Sequence, residues 1–140
     1  MSQTGRPLPA PDDRSREFWT AAARHSLVLA RCARCATFCH PPDATCPHCG
    51  SIDPAFEFVP VDGFGSVRSW TVVRQSFLTG FDTPFVLVDV ELTAQPDLRL
   101  IGRLVDGPAA PLHLGAPVRV TFEDVAPGVA VPAFALEAAP

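Results

Sequence analysis

Two short cysteine motifs decide the fold of this chain: Cys32-Ala33-Arg34-Cys35 and, after ten intervening residues, Cys46-Pro47-His48-Cys49-Gly50. A Cys-x-x-Cys pair bends into a tight turn that presents two thiolates on one side. Four thiolates match the tetrahedral coordination that zinc prefers, with Zn–S distances near ~2.3 Å. Pro47 and Gly50 suit such a turn, because proline fixes φ and glycine adopts a positive φ at little steric cost. The spacing therefore predicts a metal site whose ligands are Cys32, Cys35, Cys46 and Cys49.

Three further side chains near the motifs are alternative ligands. Cys39 and His40 lie between the two motifs, and His48 lies inside the second. Structural zinc is usually closed at four ligands, which the paired spacing already supplies. We therefore interpret Cys39 as a small buried apolar group and His48 as facing solvent or an outer partner. A closed site has no open position for water, so we expect structural Zn²⁺, although iron also accepts four sulfurs.

The composition describes a globular chain with an acidic balance. Of 140 residues, 47% are hydrophobic and 19% charged, which allows one substantial core. The net charge of −4 argues against binding to a phosphate backbone. No apolar run is long enough for a membrane span, and residues 1–13 lack the apolar centre of a signal peptide. We expect a cytoplasmic location without membrane association, where clustered cysteines act as ligands rather than forming disulfides.

Composition and pattern divide the chain into four parts. We expect a flexible tail over residues 1–11, a helical segment over 12–31, a zinc ribbon over 32–52 and a barrel over 53–140. Asp12 or Asp13 is a suitable helix cap, because a carboxylate there accepts hydrogen bonds from the free N–H groups of the first turn. Phe18, Trp19 and Ala22 fall on one helical face. We interpret Phe18 and Trp19 as core residues rather than ligand contacts.

The C-terminal part has the alternating pattern of β-strands. Five strands are predicted, over residues 66–73, 85–92, 98–104, 118–124 and 131–136. Five short strands separated by turns are typical of an OB-type barrel, although periodicity alone leaves a small sandwich open. Residues 108–117 have no helical period, so we expect a loop between the third and fourth strands. The predicted fold class is mainly β.

No catalytic motif stands out in the sequence. It has no Gly-x-Ser-x-Gly elbow, phosphate loop or dinucleotide fingerprint. Asp89 and Glu91 are two residues apart on one face of a predicted strand, where a shared proton is one interpretation, but a solvated face opposite the buried valines is the preferred one. His25 and His113 have no nucleophile beside them. We predict no catalytic residue and no catalytic activity of the chain alone.

The connection over residues 75–82 is the best candidate surface for a partner or ligand. It carries two phenylalanines where a connection is normally polar. The candidate residues are Trp70, Arg74, Phe77 and Phe81. The alternative is that Phe77 and Phe81 fold back over the barrel. Four strand arginines are candidate cations for phosphate groups, or simply solvent-facing side chains: Arg68, Arg74, Arg99 and Arg103.

In combination these motifs resemble a family of zinc-ribbon plus OB-fold proteins, long catalogued as a domain of unknown function and linked to acyl-CoA metabolism. The resemblance covers about residues 13 to 136. Besides the cysteine pairs it is carried by His40-Pro41-Pro42, Gly63-Phe64-Gly65-Ser66-Val67, Trp70-Thr71-Val72-Val73, Ile101-Gly102-Arg103-Leu104, Gly115-Ala116-Pro117-Val118-Arg119-Val120 and an apolar strand near Phe134.

The resemblance implies an N-terminal helical segment, a rubredoxin-like zinc ribbon and a C-terminal OB-fold barrel. It also implies an accessory subunit that binds thiolase-like enzymes, acyl-CoA hydratases or steroid side-chain aldolases and helps to seat the acyl-CoA. The four cysteines correspond to metal ligands. Asp43, after Pro41-Pro42, departs from the arginine found in many members, which puts a phosphate contact there in doubt.

Three functional hypotheses follow. The leading one is a non-catalytic accessory subunit of an acyl-CoA-processing enzyme, in lipid or steroid side-chain metabolism. The alternative is a nucleic-acid-binding OB-fold protein, since Trp70, Phe77 and Phe81 would offer stacking surfaces, although the acidic balance opposes it. The last is a metal-dependent enzyme, which would need an open position at the metal.

Overall fold

The computed structural model describes residues 5–137. One helix and eight strands lie in this part of the chain. In chain order they are α1 (Arg16–Ala23), β1 (Val28–Arg31), β2 (Phe38–Cys39), β3 (Glu57–Pro60), β4 (Phe64–Val73), β5 (Phe85–Leu92), β6 (Arg99–Leu104), β7 (Pro117–Ala126) and β8 (Val129–Leu136). The predicted mainly β class, with one short N-terminal helix, is confirmed.

Helix α1 begins later than the predicted caps. Asp12 accepts hydrogen bonds from the backbone N–H and the hydroxyl of Ser15, at 2.9 and 2.7 Å. These bonds close a turn before the helix, so Ser15 rather than Asp12 or Asp13 occupies the N-cap position. The helix buries Phe18, which confirms its assignment to the core, whereas Trp19 is only half-buried.

A small antiparallel sheet with the strand order β2-β1-β3 joins the cysteine motifs to the rest of the chain. Strand β1 pairs with β3 along its whole length, from Val28 opposite Pro60 to Arg31 opposite Glu57. Strand β3 lies within the range predicted for the barrel (53–140) but pairs with β1. The barrel strands begin only at Phe64.

The remaining five strands form a closed barrel in the order β4-β5-β6-β8-β7. Closure depends on β4 pairing with β7, where Phe64 lies opposite Arg119, and on a parallel pair between β6 and β8. The closed order decides between the two predicted architectures in favour of the barrel. Residues 105–116, between β6 and β7, contain no helix, as predicted.

The barrel core follows the period-2 pattern. Along β5 every second side chain is buried, which places Val86, Val88 and Val90 inside as predicted. Phe134 of β8 is completely buried and is among the largest side chains of this core. Gly65 allows β4 to approach β5 closely, because a Cβ there would lie 2.5 Å from the carbonyl oxygen of Glu91.

The N-terminal segment contacts the barrel. Residues 1–4 of the predicted tail lie outside the described residues, and residues 5–12 carry no regular secondary structure. Arg6 nevertheless forms an ion pair with Glu123 of β7, at 3.1 Å. The flexibility of this segment stays a prediction. Among residues 5–137, no helix combines the length and the apolar character needed to cross a membrane.

Candidate functional site

The two cysteine motifs adopt matching turns. In the first, the Ala36 N–H donates to the carbonyl oxygen of Cys32 at 2.8 Å, and in the second the Gly50 N–H donates to that of Cys46 at 2.9 Å. Both donors have a positive φ, 62° for Ala36 and 76° for Gly50. The predicted conformation of Gly50 is thereby confirmed, and each turn directs two sulfurs to the same side.

The four sulfurs are arranged as a tetrahedral metal requires. The Sγ atoms of Cys32, Cys35, Cys46 and Cys49 all lie within 4.8 Å of one another. Two of the separations are 3.9 Å, between Cys32 and Cys49, and 3.8 Å, between Cys35 and Cys46. Tetrahedral bonds of ~2.3 Å require sulfurs about 3.8 Å apart, and a disulfide would bring two of them to ~2.05 Å. The donor set therefore fits a metal ion and not a disulfide pair.

The surroundings favour the thiolate form of Cys46. Hydrogen bonds from the backbone N–H groups of Cys49 and His48 lower the pKa of Cys46 to about 6. The backbone N–H of Arg34 donates to the Sγ of Cys32 at 3.3 Å. Four thiolates this close repel one another, so a cation between them is required if all are ionised.

The alternative ligands lie outside the four-sulfur set. Within residues 5–137, the only group of three or more potential ligand side chains contains neither Cys39 nor any histidine. Cys39 is buried, and burial is the main cause that raises its pKa to about 12. Cys39 therefore remains a neutral thiol, as the sequence predicts, and His40 lies against Phe18 with ring centroids 5.2 Å apart.

The ribbon has almost no apolar core of its own. Its buried cluster consists of three cysteines, packed with partly buried Cys35 and Phe56. Arg34 adds an exposed bond to Asp53, of a kind that contributes little to stability. A metal ion held by the four sulfurs would therefore supply most of the energy that keeps this segment folded.

The predicted surface divides into exposed and covered parts. Phe77 and Leu78 at the tip of the loop are 91% and 58% exposed, and Trp70 of β4 is 39% exposed. Arg74, just after β4, is also exposed. Phe81 instead stacks on Phe85, with ring centroids 5.4 Å apart. One of the two phenylalanines thus extends into solvent and the other folds back onto the barrel.

Arg6, in the N-terminal segment, contacts the loop over residues 75–82. Its guanidinium lies over the Phe81 ring, 5.0 Å from the centroid, and its Nε donates to the carbonyl oxygen of Gly80 at 3.3 Å. Arg6 also pairs with Glu123, which is in turn bound by Arg103. Burial alone would raise the pKa of Glu123, but hydrogen bonds and charges from Arg103 and Arg6 bring it below the usual value.

The two strand carboxylates do not form a proton-sharing pair. The Arg99 guanidinium donates to Asp89 at 2.7 Å. Glu91 accepts from the Asp97 N–H at 2.8 Å and from Arg68 at 2.9 Å, and these interactions lower its pKa, the backbone bond most strongly. Both carboxylates are therefore ion-pair partners. Arg68, Arg99 and Arg103 are all paired with carboxylates, so these three arginines offer little net positive charge to nucleic acid.

A groove that the sequence does not reveal lies where α1, the ribbon and the barrel meet. Its volume is about 600 Å³, within the ~300–1,000 Å³ typical of ligand sites. The lining residues come from all three parts: Ser15, Phe18, Trp19, His40, Pro41, Pro42, Phe58, Asp89, Arg99, Leu100, Ile101 and Pro132. Separate stretches of sequence build this site, so no local motif marks it.

Comparison with known proteins agrees with this architecture. Residues 19–53 match the family model described as "ChsH2, rubredoxin-like zinc ribbon domain", and residues 58–123 match "ChsH2, C-terminal OB-fold domain". A chain of the solved structure described as "Ltp2-ChsH2(DUF35) aldolase" is 34% identical and superposes with a TM-score of 0.80, covering 91% of this chain and 98% of that one. The chain belongs to the ChsH2 (DUF35) family. The resemblance inferred from the motifs is thereby confirmed.

Two curated relatives and a second structure extend the comparison of this ChsH2-family chain. A "probable enoyl-CoA hydratase alpha subunit" of Thermomonospora curvata is 38% identical over 92% of this chain. A "3-oxo-4,17-pregnadiene-20-carboxyl-CoA hydratase alpha subunit" of Mycobacterium tuberculosis is 31% identical over 76%. The chain spans only 39% and 33% of these two relatives. A DUF35 protein of unknown function from Sulfolobus solfataricus, 14% identical with a TM-score of 0.59 and covering 89% of this chain and 86% of that one, shares the fold.

Proposed function

We propose that this chain is a non-catalytic accessory subunit that binds an acyl-CoA-processing enzyme and helps to position the acyl-CoA. The observation that carries the proposal is the superposition, over nearly its whole length, on a chain of a structure described as an Ltp2–ChsH2 aldolase. The curated relatives are both named as hydratase alpha subunits, which supports an enzyme partner. The partner we expect is a thiolase-like or related enzyme of lipid or steroid side-chain metabolism.

The metal in this proposal is Zn²⁺ with a structural role. Cys32, Cys35, Cys46 and Cys49 would be its four ligands, which leaves no position for a reacting water. The family name describes a zinc ribbon, and the sulfur geometry would also accept iron. When bound, the ion fixes the two turns relative to β1, and the chemistry belongs to the partner.

The partner surface in this proposal is the loop tip together with Trp70 and Arg74. Phe77 is 91% exposed although it is a large apolar side chain, and aromatic residues of this kind anchor protein interfaces. Phe81 has a different role, because its ring packs between Arg6 and Phe85 and holds the loop against the barrel.

Co-purification with a candidate partner, a thiolase-like acyl-CoA-processing enzyme, tests the proposal. Both are co-expressed with a tag on the enzyme, and the amount of chain retained is compared between wild type and Phe77→Ser. We expect a stable complex for the wild type and a marked loss for the variant. A chain that elutes alone at every concentration would contradict the accessory role.

Ile52→Ser is the matched control for this experiment. Ile52 is 88% exposed, so its replacement likewise removes an exposed apolar side chain without touching the core. Retention of Ile52→Ser with loss of Phe77→Ser supports the proposed surface. Equal retention of both variants would show that the enzyme binds elsewhere, while leaving the accessory role intact.

A further inference from the structure

The groove between α1, the ribbon and the barrel is built from rigid apolar side chains. Phe18 and Trp19 of α1 meet edge to face, with ring centroids 4.9 Å apart, and form one wall. Pro41 and Pro42 form the ribbon side, and Ile101 of β6, 63% exposed, stands at the barrel side. Such walls bind by apolar contact and lose little conformational entropy when a ligand enters.

A partly exposed ion pair, Asp89 with Arg99, lies among the lining residues of the groove. Arg99 donates to one oxygen of Asp89 at 2.7 Å. The other oxygen of Asp89 and the Nε of Arg99 are buried and have no hydrogen-bond partner among the described residues. These two buried atoms are out of reach of a ligand, but the Asp89 and Arg99 side chains are still 27% and 37% exposed, so a neutral polar substituent of a ligand can reach the rest of the ion pair.

The charges around the groove disfavour a phosphate-bearing ligand. The one arginine that lines it, Arg99, is shared between Asp89 at 2.7 Å and Asp97 at 3.8 Å. Burial lowers the pKa of His40, so this side chain is neutral near pH 7 and adds no positive charge. Apolar surface next to a compensated ion pair matches the acyl part of a thioester better than its nucleotide.

We propose that this groove binds the apolar acyl group of the acyl-CoA, a fused-ring or long alkyl group, with any neutral polar substituent at the Asp89–Arg99 ion pair. The inference rests on the proposed function and specifies which part of the ligand this chain holds. Binding is non-covalent and requires no reaction in the groove. The CoA nucleotide then lies outside it.

Quenching of Trp19 fluorescence tests the inference directly. The chain contains two tryptophans, so Trp70→Phe leaves Trp19, in the groove wall, as the only indole. The metal-loaded variant is titrated with a terminally brominated dodecanoyl-CoA, because bromine quenches an indole that it contacts. We expect saturable quenching, and no competition from free coenzyme A. Absence of saturable quenching, or full competition by coenzyme A, would overturn the proposal.

A charge placed in the groove wall separates specific from surface binding. Ile101 is an exposed strand residue, so Ile101→Arg should leave the fold intact. The substitution should lower the affinity for the brominated ligand at least about tenfold, because it places a charge in the apolar wall. Leu114→Arg is the control, because Leu114 is 70% exposed and does not line the groove. Equal affinity of the two variants contradicts the inference. If quenching is absent and Ile101→Arg abolishes binding to the enzyme, the groove is a docking surface for protein and not an acyl site. If quenching is absent but the complex with the enzyme still forms, the acyl-binding inference is rejected and the accessory role is retained.

Discussion

Replacement of Cys46 by serine removes one of the four sulfurs and should unfold the ribbon while leaving the barrel folded. The side chain of Cys46 is completely buried, at the centre of a cluster that otherwise contains only cysteines and Phe56. The barrel core belongs to a separate cluster, which also includes Phe18 of α1 and Leu29 of β1. Because the ribbon has no comparable apolar core, we expect its folding to depend on a bound metal ion.

The expected loss of zinc-binding free energy follows from the number of ligands. Structural zinc sites bind with apparent free energies of about 10–16 kcal/mol, so an equal share for one of four sulfurs is roughly 2.5–4 kcal/mol. At 1.4 kcal/mol per factor of ten, the affinity of Cys46→Ser for zinc should fall by about two to three orders of magnitude.

Two measurements check this outcome. Metal content after dialysis against a chelator should fall in Cys46→Ser and remain at one ion per chain in wild type. Hydrogen exchange should become fast over residues 32–52 and remain slow along β5. Cys39→Ala is the control, since Cys39 lies outside the four-sulfur set and should retain the metal. Full zinc retention by Cys46→Ser, or loss by Cys39→Ala, would refute the ligand assignment.

Three further predictions concern the barrel. The pKa of Glu123 is lowered in the folded state from its ordinary value of 4.5. The ionised carboxylate therefore stabilises the fold above pH 4.5, and this stabilisation is lost as the pH falls through the lowered pKa. Glu123→Gln should accordingly show a smaller decline of Tm in acid than the wild type. Phe134→Ala should cost about 3–5 kcal/mol in urea unfolding, because the side chain is fully buried; a loss under 1 kcal/mol would mean that the core is packed differently. Gly65→Ala should separate β4 from β5 and lower Tm, since its Cβ would lie 2.5 Å from a carbonyl oxygen; an unchanged Tm contradicts the close approach.

The metal site and the strands were predictable because their signals are local. The positions of Cys32 and Cys35 alone define a turn with two sulfurs on one side, and the structure places all four predicted sulfurs together. The alternation along β5 is equally local and gives its buried face directly. The choice between barrel and sandwich depends on pairings such as Phe64 with Arg119, which no local pattern encodes.

The candidate surfaces were harder to predict because they depend on distant residues. Phe77 and Phe81 are identical residues in one loop, and they differ because Phe81 stacks on Phe85 and lies under Arg6. The groove likewise combines Trp19, which the sequence indicated only as a core residue, with Ile101 from the opposite half of the chain. Strand β3 pairs with β1, although its residues lie within the range predicted for the barrel.

The most direct test of the accessory role is the turnover of an acyl-CoA substrate by the enzyme that co-purifies with this chain, measured with and without the purified, metal-loaded chain. We predict that the rate rises severalfold and saturates at a fixed ratio of the two proteins, while the chain alone produces no turnover. The Phe77→Ser variant should reach the same plateau only at higher concentration, and Ile52→Ser should match wild type. A rate that is unchanged at saturating chain, with either protein in excess, would contradict the account.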